Sequence, residues 1–357
     1  MDLKEKLKTI KPRENAGSTA SNRFDYQKNW AICKLIELSK SNSDFLLAFE
    51  FHDDIILFNS SSNPSSIDFF QVKTKKTGKH TLNSLLKIPR KSKNSILGKL
   101  LTNKINFDSE TSSLNIISNS HFNFKPLSKA KICCNELTDT EKTKIQSSLT
   151  SELGVKWLND FLDIIFFDTS DLSIEHHGEL AKSRLSDFIE NKYSTDIKFN
   201  PSLAYRTIFD EVNRRNNIEK EVVTFDEVIQ YKAISKEDFE LMLKRVTIEP
   251  DILTKIKDKI FHALDATGIA ISHRKKLTSA WKDMEIEYLK IDNAFFKKCT
   301  SIVQKTIDDN LDALNKDVLK STNFILDKIS KNKVIGTQKL YSKHFLEVLI
   351  LKELYDE

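Results

Sequence analysis

Glu50-Phe51-His52-Asp53-Asp54 is followed, after thirteen residues, by Asp68-Phe69-Phe70-Gln71-Val72-Lys73. These residue types are the ones that metal-assisted cleavage of a phosphodiester needs. A carboxylate pair binds Mg²⁺ or Mn²⁺, an oxygen ligand from the next strand completes the shell, and an ammonium orients the attacking water or meets the developing charge. On that reading Asp54 is the central metal ligand, Glu50 a second, and Gln71 supplies an amide oxygen. Lys73 is the cation that acts on the nucleophile or the developing charge. The residues leave open whether Glu50 or Asp68 is the second carboxylate ligand. Asp53 has a supporting place, because one of two adjacent aspartates between strands commonly forms the turn. Gln27 is either a core-edge amide or a support for the site. His52 and His80 read as surface residues, and His176-His177 has no spaced Cys or His companion that would make a zinc site.

The elements that must position these groups follow from periodicity. Asn22 to Leu38 reads as a helix with Phe24, Gln27, Ala31, Leu35 and Leu38 on one face. The loop Asn15 to Ser21 precedes it. Phe45 to Phe51 and Asp54 to Phe58 read as strands, joined through the polar Asn59 to Ser66 connection to a third strand at Ile67 to Thr74. Alternation puts Phe69, Gln71 and Lys73 on one face of that strand, and Phe70 and Val72 on the other. Ser113 to Ser118, Ala130 to Cys134 and Phe161 to Asp168 are further strands, and Glu175 to Tyr193 is a helix. The first half is mixed α/β.

After about Asp251 the apolar residues recur at steps of three and four, as in Phe295, Cys299, Ile302, Ile307, Leu311, Leu314, Val318, Phe324 and Ile329. Ser342 to Tyr355 reads as a closing amphipathic helix, and the polar Glu237 to Asp251 stretch as the join. The expected organisation is therefore an α/β domain over residues 1–245, with its catalytic core at about 14–135. A mainly helical bundle over 246–357 follows, suited to oligomerisation or partner docking.

Three pieces in order carry a resemblance: Phe24-Asp25-Tyr26-Gln27, then Glu50 with Asp53-Asp54, then Gln71-Val72-Lys73-Thr74-Lys75. Together they resemble the restriction-endonuclease-like fold of the Asp-(Asp/Glu)-x-Lys nuclease superfamily in its Gln-x-Lys variant. The nearer resemblance is to double-stranded-DNA endonuclease effectors of bacterial antiphage systems, most of all the nuclease subunit of Lamassu-type complexes. The similarity extends through Tyr205-Arg206-Thr207-Ile208-Phe209 and Thr224-Phe225-Asp226-Glu227-Val228. It implies a Mg²⁺-dependent endonuclease of low sequence specificity whose activity is restrained until a partner assembles or releases it. An SMC-like ATPase and an accessory subunit are the implied partners. The β-rich C-terminal sensor of many such nucleases is not expected here, since the last third has helical periodicity.

Charge supports a polyanionic substrate. From Gln71 to Lys104 there are ten Lys or Arg and no acid, whereas Ser41 to Asp68 holds five acids and no base. Lys75, Lys76, Lys79, Lys87, Arg90, Lys91 and Lys93 follow the Gln-x-Lys strand directly and are the expected phosphate contacts, which supply affinity and register rather than sequence readout. With few aromatics between them, duplex DNA is favoured over stacked single strands. A double-strand break needs two active sites, so a homo-oligomer is the expected active form.

At 39% hydrophobic and 30% charged, the composition is that of an ordinary globular protein and excludes a disordered chain. MDLKEKLKTIK lacks the apolar core of a secretory signal, and the Phe161 to Phe167 run is far short of the roughly 20 residues that span a bilayer. Cys33, Cys133, Cys134 and Cys299 have no metal-type spacing, consistent with a reducing cytoplasm. No phosphate-binding P-loop, dinucleotide fingerprint or serine elbow is present. The alternative function is a non-catalytic DNA-binding or scaffold subunit that keeps a nuclease-like fold.

Overall fold

A computed structural model of the chain describes residues 16–90, 92–124, 129–154, 160–193, 199–289, 293–314, 317–338 and 340–356. The chain divides into two compact units: Met1–Lys192 with Ile208–Glu240, and Tyr193–Thr207 with Leu241–Glu357.

The first unit is built on a seven-stranded sheet in the order β5-β6-β4-β3-β2-β1-β7. Its strands are β1 (Leu46–Phe51), β2 (Asp53–Phe58), β3 (Ile67–Lys73), β4 (Thr111–Ser118), β5 (Lys131–Cys133), β6 (Ile165–Thr169) and β7 (Ala233–Ser235). β1, β2 and β3 form an antiparallel meander, and β3 pairs in parallel with β4. A parallel pair needs a long crossover. Here it carries two helices, α2 (Leu82–Leu86) and α3 (Ile96–Phe107). α3 is started by Ser95, whose Oγ accepts the Gly98 N–H at 2.9 Å. It lays Leu97, Leu100 and Leu101 on a core that contains Ala48, Ile56, Phe69, Leu114 and Ile116. Each such apolar side chain contributes about 1.5–3 kcal/mol on burial, so this layer fixes where the strand ends lie.

Helix α1 (Ala16–Leu38) buries Tyr26, Ala31, Ile32 and Leu35 completely. Trp30 packs on Phe70, with ring centroids 5.3 Å apart. Three expectations change here. Residues 16–21 continue the helix and are not a loop. Phe24 is exposed, not on the inner face, where Tyr26 and Ile32 stand instead. The expected strand from Phe161 begins with a helical turn, Phe161–Ile164, before β6.

The second unit is helical. Its core gathers Leu264, Trp281, Met284, Cys299, Val303, Ile325 and Leu349. The stretch expected as a polar join lies inside the helix Lys236–Ala266. Leu311, expected in the apolar series, sits in a short turn and is exposed. The last helix, Lys343–Tyr355, is buried along every residue from Phe345 to Glu353 and is therefore a central element rather than an amphipathic surface one. Among the described residues, no helix is long and apolar enough to cross a membrane.

Candidate active site

The β1–β2 hairpin turns on a single residue. Phe51 pairs with Asp53, and His52 makes the turn with φ of 62°. Glu50 also has a positive φ, 46°. Both are non-glycine residues in the left-handed region, where such conformations cost on the order of 1–3 kcal/mol and persist when surrounding contacts over-determine them. The contacts at Glu50 are specific. Gln27 of α1 donates from Nε2 to Glu50 Oε1 at 3.0 Å and to the Asp54 carbonyl oxygen at 3.3 Å. One helical amide thus holds both arms of the hairpin.

Asp54 is joined to the neighbouring strand. Its Oδ2 accepts the Val72 N–H at 2.8 Å and lies 3.3 Å from Lys73 Nζ. Ile55 pairs with Phe70, which brings Asp54 to the level of Gln71 and Val72. Gln71 faces the same side of β3 as core residue Phe69, and its Oε1 is buried without a hydrogen-bond partner. A buried, unsatisfied amide oxygen is unfavourable by about 1–3 kcal/mol unless something binds it.

Sequence-predicted residues are thus sorted by the fold. Gln27, Glu50, Asp54 and Lys73 are linked by direct contacts, and Gln71 stands beside them on β3. Asp68 is elsewhere: alternation places it on the opposite face of β3, where Ser113 donates to its Oδ1 at 2.5 Å. Asp53 is not the turn residue. It begins β2 and accepts from Asn103 Nδ2 and from the Asp54 N–H, both at 2.9 Å. His80 is buried rather than on the surface, with its Nε2 2.8 Å from Ser118 Oγ. Burial, with Lys75 and Lys73 nearby, pushes its imidazole down to about 4, so it is neutral at physiological pH.

The electrostatics are those of crowded carboxylates. Burial raises the Glu50 pKa, Gln27 opposes that shift and Asp54 adds to it. Burial and the Asp54 charge push Asp53 up to about 7. Such upward shifts mark a place where a cation would be stabilising. Glu50, Asp54 and Gln71 offer only oxygen donors, which with the unpartnered Gln71 oxygen fits a hard divalent ion such as Mg²⁺ or Mn²⁺.

Two positions escaped sequence reading. Asn103, eight residues into α3, fixes Asp53. Lys232, buried just before β7, lowers the Glu50 pKa by its charge. Their separations from the hairpin give no local signal; only the pairing of β7 with β1 brings Lys232 close.

Of the expected phosphate contacts, Lys76, Lys79, Lys87, Arg90 and Lys93 are exposed and Lys75 is half-buried. Lys91 lies outside the described residues. Lys104 is buried and bonded to the Asp108 carbonyl, at the end of α3. A cavity of about 1040 Å³ lined by Trp30, Lys34, Phe70, Asn115, Asp168 and Arg184 holds none of the site groups.

A family model described as Cap4, dsDNA endonuclease domain, matches residues 15–216, which include every site residue above except Lys232. The Lamassu protein LmuA of Bacillus cereus (strain VD014) is 26% identical over 243 residues, a match covering 66% of this chain and 66% of that protein. No solved structure matches.

Proposed function

The chain belongs to the Cap4 double-stranded-DNA endonuclease domain family, and from that membership we propose that it cleaves duplex DNA in a Mg²⁺- or Mn²⁺-dependent reaction of low sequence specificity, as an effector of antiphage defence. The observation that carries the metal-dependent reading is the convergence of Glu50, Asp54 and Lys73 from the three strands of one meander, beside a Gln71 oxygen with no hydrogen-bond partner. Glu50, Asp54 and Gln71 are the residues that would hold the ion. A divalent ion there supplies Lewis acidity toward the phosphate and a lowered pKa for the attacking water.

The chain's own groups do the rest. Gln27 holds the Glu50 carboxylate by a hydrogen bond and opposes the burial that favours its protonation. Lys73, held by Asp54, presents a positive charge where negative charge builds on the scissile phosphate. The order of helix, acid-bearing hairpin and Gln-x-Lys strand supports assigning the sheet to the restriction-endonuclease-like class. Residues 1–245 are the nuclease domain on this reading, with the core at about 14–135. The exposed lysines and Arg90 after β3 hold the duplex through its phosphates.

Restraint is part of the proposal, because a free nuclease of low specificity would cut its host. Likeness to a Lamassu protein supports a place in a defence complex; the reading adds a cytoplasmic location, with an SMC-like ATPase and an accessory subunit as partners. Exposed Ile271, Ile286, Leu311 and Leu340 in the helical unit give residues 246–357 apolar surface for self-association or docking. The test is cleavage of supercoiled plasmid with Mg²⁺ by the chain alone and in its assembled complex. Lys73→Ala should lose about a hundredfold or more of the activity while still binding duplex. Wild-type rates in that variant would remove the catalytic assignment. A chain that binds DNA but never cuts it with metal, in any assembly, would instead be the non-catalytic scaffold.

A further inference from the structure

The helical unit contains a second constellation, unrelated to the nuclease chemistry. His273 lies in the first turn of the helix Ile271–Leu289, and His344 and Glu347 lie on the helix Lys343–Tyr355. The i, i+3 spacing puts His344 and Glu347 on one helical face. One ligand atom from each of the three residues lies within 4.8 Å of the others. The two imidazole rings are 5.6 Å apart. We propose that His273, His344 and Glu347 bind one Zn²⁺-class ion that joins the C-terminal helix to the helix Ile271–Leu289.

The independent observation is at Glu347. Its side chain is only 4% exposed, and His273 Nε2 stands 3.5 Å from its Oε2. That oxygen accepts no hydrogen bond. Lys343 lies 3.7 Å from the other oxygen, Oε1, and is itself largely exposed. A buried carboxylate oxygen left unsatisfied is unfavourable, and here it stands 3.5 Å from the His273 imidazole, in a residue grouped with His344 within 4.8 Å. A hydrogen-bonded His–Glu pair would close the 3.5 Å gap directly and would not need His344. Two imidazole nitrogens and one carboxylate oxygen suit Zn²⁺ and disfavour Mg²⁺, which prefers all-oxygen shells. Tetrahedral coordination at 2.0–2.1 Å requires donor separations of about 3.3 Å, close to the 3.5 Å between His273 Nε2 and Glu347 Oε2. Three protein ligands leave a fourth position to water.

The full chain, stripped with a chelator, is titrated with Zn²⁺ in excess Mg²⁺, and bound metal is counted by mass spectrometry. Co²⁺ serves as the spectroscopic probe, since tetrahedral coordination gives it intense visible absorption. The expected result is one Zn²⁺ per chain with a rise in melting temperature, and affinity more than about tenfold weaker in His273→Gln and in His344→Gln. His273 is partly exposed, so its variant reports binding without loss of the fold, checked by far-UV circular dichroism and metal-free melting. Asp54→Asn is run in parallel and should retain the Zn²⁺. The site is overturned if the wild-type chain takes up no stoichiometric Zn²⁺. It is equally overturned if both histidine variants bind as well as wild type, or if the ion is lost in Asp54→Asn instead.

Discussion

The Asp54 carboxylate accepts the backbone N–H of Val72 at 2.8 Å, so a candidate metal ligand on β2 is tied to the main chain between Gln71 and Lys73 on β3. The same oxygen faces Lys73 Nζ at 3.3 Å. Position and charge are therefore set by one side chain. Asp54→Asn can keep an oxygen on the Val72 N–H while losing the charge. It should fold with near-native stability and lose about a hundredfold or more of plasmid cleavage. Asp54→Ala removes the acceptor as well and should cost a further 1–3 kcal/mol, or about that, in denaturant unfolding. Equal stability of the two variants would show that the bond to Val72 positions nothing.

Gln71 separates binding from folding more sharply. Its Oε1 is buried and unpartnered, so replacing the amide by an apolar group of similar size removes an unsatisfied acceptor. Gln71→Leu should match or exceed the wild-type melting temperature without metal. Its Mg²⁺ requirement for cleavage should rise, read as a shift in the midpoint of a metal titration. A purely structural glutamine would give the reverse pattern, lower stability with an unchanged midpoint.

Much of this geometry was legible because strand alternation and chain order are local properties. β1, β2 and β3 begin and end within one residue of expectation, and the Phe69, Gln71, Lys73 face follows from period two. Of the two carboxylates the residues left open, Asp68 accepts from Ser113, and Glu50 accepts from Gln27, which also reaches the Asp54 carbonyl. The positive φ at Glu50 and His52 was not legible, since neither is a glycine and the strain is imposed by the one-residue turn. β7 is three residues long and has no periodicity to detect. The inner face of α1 was misjudged at Phe24 because helical spacing alone does not say where the helix leaves the sheet. His273 and the His344-x-x-Glu347 pair lie far apart in sequence, and only helix packing joins them.

Asp53 gives stability a pH dependence of defined sign. Burial and Asp54 push its pKa up to about 7, against about 3.9 in an unfolded chain. The folded state thus holds a proton that the unfolded state releases. Asp53 favours folding most below about pH 4, and that contribution is lost as pH rises through 7. The slope approaches about 1.4 kcal/mol per pH unit between those limits. Asp53→Asn should flatten this fall in denaturant midpoints measured from pH 5 to 8 without metal. A steeper fall in the variant would contradict the assignment. Saturating Mg²⁺ should also flatten the wild-type curve, because a cation near Asp54 favours the ionised carboxylates.

The exposed cations after β3 should act on affinity alone. Lys76, Lys79, Lys87, Arg90 and Lys93 are solvent-accessible and none of them contacts Glu50, Asp54 or Gln71. Each phosphate contact releases condensed counterions, so its removal should reduce the slope of log affinity against log salt by about 0.9. Replacing all five with Gln should weaken duplex binding steeply at low salt and to the same extent on unrelated sequences, since phosphates carry no sequence information. Cleavage at saturating DNA should stay near wild type while KM rises, because the proposed metal ligands and Lys73 are untouched. Fluorescence anisotropy on two duplexes across a salt series measures the slope, and steady-state cleavage measures the split. An unchanged slope would move the DNA to another face of the nuclease unit; a collapse of kcat at saturation would mean that these residues position the scissile phosphate as well as hold the duplex.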